Sequence, residues 1–345
     1  MSCIPSLHRF GFAALALAGA ALIAPAEAQN AWKPERNIEI LVPSAPGGGF
    51  DRTGRTIQKV AQSLKLINVS TSIMNKSGGG GAIGWAYLSQ FKGDAHHIGI
   101  CSPTLLTNQI TGSNALGHAD FTPLAMLYNE YLAFAVKPDS PIKTGKDLLE
   151  KLAAAPGSLS VAIGTAPGGP NHVGVALVLK GARADLRKQK IAFFKTGGDS
   201  LTALLGGHVD VMASTPGNLV QALESKQIRV IAIGAARRQS GDFAQVPTWK
   251  EYGVEGTFPN WRCVIGPRGV SAAQVAYWED VLSRIVATDE WKSDLEHMVA
   301  ENSFMKSAET RKYFESEYAT ARSEEHTSEL QSLRHLVCRL LLEKK

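Results

Sequence analysis

The stretch NIEILVPSAPGGGFD, residues 37–51, decides the fold class of this chain. Its first six residues are typical of a β-strand, and residues 52–66, which follow it, repeat apolar side chains at helical spacing. The Gly-rich turn between them brings backbone N–H groups to a helix N-terminus, where the partial positive charge favours an anion. The stretch therefore predicts an α/β fold with an anion site beyond a strand end.

Strand-like and helical patterns alternate along the rest of the chain. The predicted strands cover residues 37–42, 68–74, 97–101, 131–136, 160–163, 190–194, 209–213, 229–233 and 261–265. The predicted helices cover residues 52–66, 83–91, 146–154, 172–180, 200–205, 217–223, 272–287, 290–299 and 308–321. This alternation predicts mainly parallel sheets flanked by helices, and in such sheets ligands bind beyond the carboxyl ends of the strands.

The order of the elements also predicts two lobes. Residues 131–141 and 234–247 are extended or rich in turn residues, and we expect the chain to cross between the lobes there. The first lobe would comprise residues 29–130 plus 251–322, and the second lobe residues 131–250.

The first 28 residues have the pattern of a secretory signal peptide. Arg9 precedes an unbroken apolar run over residues 10–24, and residues 26–28 read Ala-Glu-Ala. The apolar run is short for a bilayer span, although an anchoring helix is the alternative. We predict an exported, periplasmic protein whose mature chain begins at Gln29.

The last 23 residues, 323–345, belong to no pattern upstream of them. They follow a predicted helix end at Ala321-Arg322 and resemble a translated sequencing adapter. The alternative is a genuine amphipathic terminal helix. We predict that this segment is a non-native tail, and no function is assigned to it.

Charge and cysteine content limit the classes of partner. The net charge of +5 suits an anionic ligand, but the charges are scattered and form no basic stripe of the kind that binds nucleic acid. We therefore expect no nucleic-acid partner. Cys101 and Cys263 remain after the predicted signal peptide and tail are removed, and their strand-like surroundings predict buried free thiols.

Four Gly-bearing turns each follow a predicted strand and precede a predicted helix. They are PSAPGGGFD at 43–51, NKSGGGGAIG at 75–84, IGTAPGGPNH at 163–172 and FKTGGDS at 194–200. Two of these turns fall in each half of the chain, so a ligand can be clamped between the lobes by helix N-termini and hydroxyl groups. Asp51 and Asp199 are predicted helix N-caps within these turns.

Two nucleotide-binding motifs overlap these glycines, and both are rejected. Residues 49–56 place Arg55 where a phosphate-binding loop has Lys. Residues 79–84 match a dinucleotide fingerprint but lack the acidic residue about 20 positions further on.

Enzymatic motifs are also missing from the sequence. It contains no G-x-S-x-G, no HExxH and no Cys/His metal spacing. Adjacent His96 and His97 would point to opposite faces of an extended segment, which makes a poor metal pair. Asp51 and Asp199 are the carboxylates that a hydrolase of the same shape would use, and His172 is the histidine expected nearest the cleft. We expect a receptor without cofactor or metal rather than an enzyme.

In combination, these motifs closely resemble the extracytoplasmic receptors of tripartite tricarboxylate transporters, the Bug-type receptors. The resemblance covers residues 29–322, and one departure is GDAHH at 93–97, where the family usually has D-G-Y-T. The matching segments are P-x-x-PGGG-x-D at 43–51, N-x-x-GGGG at 75–81, G-x-x-PGG at 164–169, TGGDSLTALLGGHVDVM at 196–212, AIGAARR at 232–238, VPTWKEYGV at 246–254 and NWRCVIGP at 260–267.

The resemblance implies a two-lobed periplasmic-binding fold, type II-like, that closes over a small carboxylate and delivers it to a membrane permease. It also implies a ligand held in the interlobe cleft by backbone amides, hydroxyls and water, and we expect a monomer. The residues predicted to bind the ligand are Gly47, Gly48, Gly49, Asp51, Ser102, Thr104, Thr165, Gly168, Gly169, Thr196, Gly197, Ser214 and Thr215. For each hydroxyl among them, helix capping is the alternative role.

The sequence leaves the ligand's identity open. Citrate-like tricarboxylates, four-carbon dicarboxylates, amino-acid dicarboxylates and aromatic carboxylates all agree with it, because recognition by the backbone leaves few side chains that encode a choice.

Overall fold

The computed structural model describes residues 32–165 and 167–326, with side chains described as far as residue 319. The predicted signal peptide and the part of the predicted tail beyond His326 lie outside these residues. The described chain carries two β-sheets with helices packed against both of them.

The strands are β1 (Ile38–Val42), β2 (Thr71–Asn75), β3 (His97–Cys101), β4 (Phe121–Glu130), β5 (Ala133–Val136), β6 (Ser160–Ile163), β7 (Lys190–Phe193), β8 (Val211–Ser214), β9 (Arg229–Ile233), β10 (Asn260–Pro267) and β11 (Glu301–Lys306). The helices are α1 (Gly49–Ser63), α2 (Ala82–Leu88), α3 (Thr104–Ile110), α4 (Gly145–Ala154), α5 (Pro170–Gly181), α6 (Gly197–Leu205), α7 (Val220–Glu224), α8 (Ala272–Val286), α9 (Asp289–Met298) and α10 (Ser307–His326).

The first sheet has six strands in the order β11-β4-β10-β3-β1-β2. Strands β1, β2 and β3 pair in parallel, so their carboxyl ends meet at one edge of the sheet. Strand β10 returns antiparallel between β3 and β4, and β11 pairs antiparallel with β4. The turns that follow β1, β2 and β3 are therefore neighbours in space.

The second sheet has five strands in the order β7-β6-β8-β5-β9. Strands β6, β7 and β8 pair in parallel, whereas β5 runs antiparallel between β8 and β9. The turns after β6, β7 and β8 consequently meet at one edge, as the turns of the first sheet do.

Helices cover both faces of each sheet, so the inner strands β3, β5 and β8 are largely apolar, whereas the edge strands β2 and β11 are only partly buried. Alternation along β1 places Ile40 in the cluster under α1, α8 and α9, and Leu41 in the cluster under α2, α3 and α10. The second sheet packs α4 and α5 on one face and α6 and α7 on the other. Two helix-covered sheets confirm the predicted fold class.

The first sheet takes its strands from residues 38–130 and 260–306, and the second sheet from residues 133–233. The chain passes from β4 in the first sheet to β5 in the second after two residues. The lobe boundaries themselves stay a prediction.

Among the strands and α-helices of the described residues, three were not predicted from the sequence: α3, β4 and β11. Strand β4 lies inside the first sheet and is buried on both faces, so its side chains show no alternation, and Pro123 interrupts its apolar run. The last helix also differs from the prediction, because α10 continues to His326 rather than ending at residues 321–322.

The prediction of free thiols was wrong, because Cys101 and Cys263 form a disulfide. The two cysteines lie directly opposite each other on antiparallel β3 and β10, with their Cα atoms 4.9 Å apart. That distance lies within the range that a disulfide spans. Both residues are buried, as predicted.

Candidate functional site

A cavity of about 490 Å³ lies where the carboxyl ends of the parallel strands of both sheets meet. From the first sheet it is lined by Pro43, Ser44, Ala45, Gly48, Gly49, Phe50, Ser77, Gly78, Gly79, Gly80, Gly81, Ser102, Thr104, Asn260 and Arg262. From the second sheet it is lined by Gly164, Thr165, Pro170, Asn171, Phe193, Phe194, Lys195, Thr196, Gly197, Thr215 and Asn218.

The turn after β1 leads directly into α1. Gly48 is the N-cap residue and offers no side chain to cap the helix, so the N–H groups of the first turn have no acceptor within the helix. Gly48, Gly49 and Phe50 line the cavity. The positive end of α1 is therefore presented to the cavity.

Asp51 is not the N-cap of α1, which corrects the prediction from the sequence. It is the third residue of the helix, it is only 3% exposed and it does not line the cavity. Its carboxylate accepts hydrogen bonds from the Gly47 N–H (2.9 Å), Arg55 Nε (2.8 Å) and Asn75 Nδ2 (2.9 Å). Burial raises the pKa of Asp51, but these hydrogen bonds outweigh it and leave the pKa lowered. Asp51 joins the first turn to the second.

Gly47 also lies outside the cavity lining. Its φ of +81° is in the left-handed region, so this position bends the chain toward α1 and delivers its N–H to Asp51.

The turn after β2 places Gly78, Gly79, Gly80 and Gly81 along the cavity. Asn108 of α3 donates from Nδ2 to the Gly79 carbonyl at 3.1 Å and holds this turn in place. The sequence singled out this motif, but its glycines were left out of the predicted binding residues.

The end of β3 contributes two predicted residues, Ser102 and Thr104, to the cavity lining. Their hydroxyls lie 2.9 Å apart and bond each other, and both side chains are buried. The pair forms part of the base of the cavity.

The turn after β6 is built differently from its counterpart after β1. Gly169 is the N-cap of α5, and Pro170 and Asn171 follow it in the cavity lining together with Thr165. Gly168 and Gly169, predicted as binding residues, are buried and do not line the cavity.

Gly168 has φ +80° and donates its N–H to His172 Nδ1 at 3.0 Å, so it shapes the turn. His172 is 1% exposed and lies behind the lining, where its ring packs edge-on against Phe193. Burial lowers the pKa of His172 to about 4, and the ring is therefore neutral near pH 7.

The turn after β7 is capped by its own side chain. Thr196 is the N-cap of α6 and accepts from the Asp199 N–H at 3.2 Å, so Asp199 is the third helical residue and not the predicted cap. Thr196 and Gly197 line the cavity, as do Phe193, Phe194 and Lys195 just before them.

At the end of β8, Thr215 lines the cavity and Ser214 does not. Asn218 donates from Nδ2 to the Ser214 hydroxyl (3.0 Å) and the Thr215 hydroxyl (3.3 Å). Ser214 is fully buried and supports Asn218, which lines the cavity itself.

The sequence analysis missed a buried ion pair beside the cavity. Arg262 of β10 lines the cavity although it is only 6% exposed, and its Nη2 lies 3.1 Å from Glu130 Oε2 at the end of β4. Its Nη1 donates to Asn260 Oδ1 at 2.7 Å, and the guanidinium lies 5.0 Å from the centre of the Phe50 ring. The only feature of the sequence that pointed to this pair was Arg262 within the NWRCVIGP segment, because Glu130 lies far away in sequence.

Glu130 is buried beside this guanidinium. Burial raises the pKa of Glu130, and Arg262, Arg52 and a hydrogen bond from Thr215 offset only part of the rise. The guanidinium Nε has no hydrogen-bond partner among the described residues.

The electrostatics of the lining favour an anion. Among the described residues that line the cavity, Lys195 and Arg262 are cationic and none is acidic. The described residues contain no group of three or more His, Cys, Asp or Glu side chains arranged to hold a metal ion. Within the same part of the chain, no helix is both long and apolar enough to cross a membrane.

Two helix-covered sheets, with a cavity at their strand ends whose charged lining residues are cationic, are the arrangement of a solute-binding protein. The profile of the family described as "Tripartite tricarboxylate transporter family receptor" matches residues 56–325. The chain belongs to this family. Its members are periplasmic solute-binding receptors that bind small carboxylates and work with transporter permeases; they are not enzymes, as the sequence predicted.

Individual relatives agree with the family. Protein BugT of Bordetella pertussis is 25% identical over 265 residues, which cover 73% of this chain and 76% of BugT. An R. palustris protein solved with adipate superposes with a TM-score of 0.77 at 23% identity, covering 85% of this chain and 97% of that one. MatC from Rhodopseudomonas palustris, solved with bound malate, superposes with a TM-score of 0.68 at 24% identity, covering 78% of this chain and 90% of MatC.

Proposed function

We propose that this receptor captures a small carboxylate in the 490 Å³ cavity and delivers it to the membrane permease of a tripartite tricarboxylate transporter. The observation that carries the proposal is the uncapped N-terminus of α1 beside Arg262, in a cavity whose described lining has no acidic side chain. The protein is exported to the periplasm and acts there as a monomer.

The chemistry follows from these groups. Backbone N–H groups at a helix N-terminus donate to a carboxylate, and the helix dipole stabilises its charge. The lining glycines, Gly48 and Gly49, leave room for the oxygens to reach the amides. From the second sheet, Thr165, Thr196 and Gly197 supply further polar groups to the same carboxylate ligand.

Arg262 adds a positive charge that Glu130 partly compensates. A compensated guanidinium attracts an anion less strongly than a free one, so most of the recognition rests on backbone and hydroxyl groups. Structural neighbours of the same fold hold malate and adipate, which supports a carboxylate as the ligand class.

The test is a thermal-shift screen of the purified full chain against citrate, succinate, malate, adipate and benzoate, each paired with its neutral amide. A ligand that binds only the native state raises the melting temperature. We expect at least one carboxylate to raise it and its amide to leave it unchanged. Equal shifts from acid and amide, or no shift from any acid, would contradict the proposal.

Delivery needs a separate experiment. In vesicles that contain the transporter's membrane subunits, uptake of the labelled carboxylate should depend on added receptor. Uptake that is the same without the receptor would refute the delivery step and leave ligand capture untouched.

A further inference from the structure

Three phenylalanines line the cavity among its polar groups: Phe50 on α1, and Phe193 and Phe194 at the end of β7. They approach the cavity from both sheets. Each is partly buried, so each contributes to the cavity lining and also packs on the protein. Aromatic surface exposed inside a binding site is most stable when a ligand covers it.

The rings are held in place from behind. Phe50 packs on the core of the first sheet and lies under the Arg262 guanidinium. Phe193 packs on the core beneath α4 and α5, with its ring 5.3 Å from that of His172. Phe194 packs on the opposite core, and its N–H donates to the Ile163 carbonyl at 2.9 Å. These contacts make the apolar part of the lining preformed.

Three polar side chains of the lining already have partners within the protein. Ser102 bonds Thr104, and Arg262 is occupied by Asn260 and Glu130. A hydroxyl or a third carboxylate that lies against the phenyl rings loses water without gaining a partner, whereas an apolar group in the same place gains apolar contact.

We infer that the ligand is a carboxylate whose remaining body is apolar, either an aromatic ring or an unsubstituted methylene chain, and not a hydroxylated acid or a tricarboxylate. This inference rests on the proposed capture of a carboxylate. The carboxylate binds at the positive end of α1 beside Arg262, and the apolar body covers the phenylalanine rings.

Isothermal titration of the full chain tests the inference with four probes: benzene-1,4-dicarboxylate, adipate, malate and citrate. The first three carry the same number of carboxylates, so differences among them report on the body of the ligand. We expect benzene-1,4-dicarboxylate or adipate to bind at least tenfold more tightly than malate and citrate. Which of the two binds better decides between the ring and the methylene chain.

Variants locate the apolar contact. Phe194→Asn should weaken the apolar-bodied probe at least tenfold, while Phe194→Leu, which keeps an apolar side chain, should weaken it less. Phe50→Asn repeats the test on a different element. Phe304 is also half-buried but lies on β11 away from the lining, so Phe304→Asn is the matched control and should leave affinity unchanged. Circular dichroism melts establish that each variant is folded.

The outcomes separate this inference from the proposed function. If malate or citrate binds as tightly as the apolar-bodied probes, the inference is overturned and capture of a carboxylate stands. If both folded Phe→Asn variants in the lining keep wild-type affinity for the apolar-bodied probe, the rings do not cover the ligand and the inference also fails. If none of the four probes nor any other carboxylate binds, the proposed function itself falls.

Discussion

Substitution of Gly49 by Ala adds one methyl group at the N-terminus of α1 and so tests whether the ligand binds there. Gly49 is the first residue of α1, its φ is not in the left-handed region and it lines the cavity. An added Cβ would lie 3.1 Å from Arg262 Nη2, with no other heavy atom nearby. The backbone therefore accepts Ala, and the new methyl group occupies space that a ligand oxygen needs.

Gly49→Ala should have opposite effects on folding stability and on ligand affinity. Gly→Ala at a compatible position stabilises a protein by about 0.4–1 kcal/mol, and the small shift forced on Arg262 offsets part of that gain. Loss of one hydrogen bond to a charged ligand costs about 1.5–3 kcal/mol. Since each 1.4 kcal/mol is tenfold, the affinity should fall by roughly 10- to 150-fold while the melting temperature stays within a few degrees.

Isothermal titration with the tightest carboxylate of the screen, together with thermal melts, measures both effects. Gly198→Ala is the matched control, because Gly198 lies in the first turn of α6, outside the lining, and its Cβ would meet only Thr196 Oγ1 at 3.7 Å. It should bind as wild type does. A folded Gly49→Ala protein with wild-type affinity would refute the role of the α1 N-terminus.

Three further predictions concern buried groups. Burial lowers the pKa of His172 to about 4 in the folded protein, so the free energy of unfolding should be highest above pH 6.5 and should fall as the pH drops from 6.5 toward 4. Urea titrations should show a loss of about 2–3 kcal/mol over this range in wild type and much less in His172→Asn. The same pH dependence in both proteins would contradict the prediction. Glu130→Gln should lower the melting temperature and yet bind the carboxylate severalfold more tightly, because Arg262 loses its counter-charge. Unchanged or weaker binding would show that Glu130 does not limit the attraction of Arg262 for the ligand. Replacing Cys101 and Cys263 together by Ala should reduce the free energy of unfolding by about 2–4 kcal/mol in urea melts, and an unchanged midpoint would exclude a stabilising disulfide.

The turns could be predicted from the sequence because their signal is local. A strand, a glycine cluster and a helix follow one another within the 30 residues 37–66, and parallel pairing then brings such turns together at one edge. Of the predicted residues, eight line the cavity: Gly48, Gly49, Ser102, Thr104, Thr165, Thr196, Gly197 and Thr215.

What the sequence did not reveal depends on contacts between distant segments. Arg262 reaches the cavity because β10 crosses the first sheet antiparallel, and its pairing with β4 and β3 determines where Glu130 and Cys101 lie. No local pattern encodes that register. Asp51 was misassigned for a smaller reason: the glycines before it allow α1 to begin three residues earlier than predicted, which turns an expected cap into the third helical residue.

A co-crystal structure of the full chain with the tightest carboxylate of the screen tests capture in this cavity most directly. We expect a carboxylate oxygen within hydrogen-bond distance of the backbone N–H of Gly49 or Phe50, on the Arg262 side of the cavity. A carboxylate bound anywhere else on the protein, or one held in the cavity without contact to the start of α1, would contradict it.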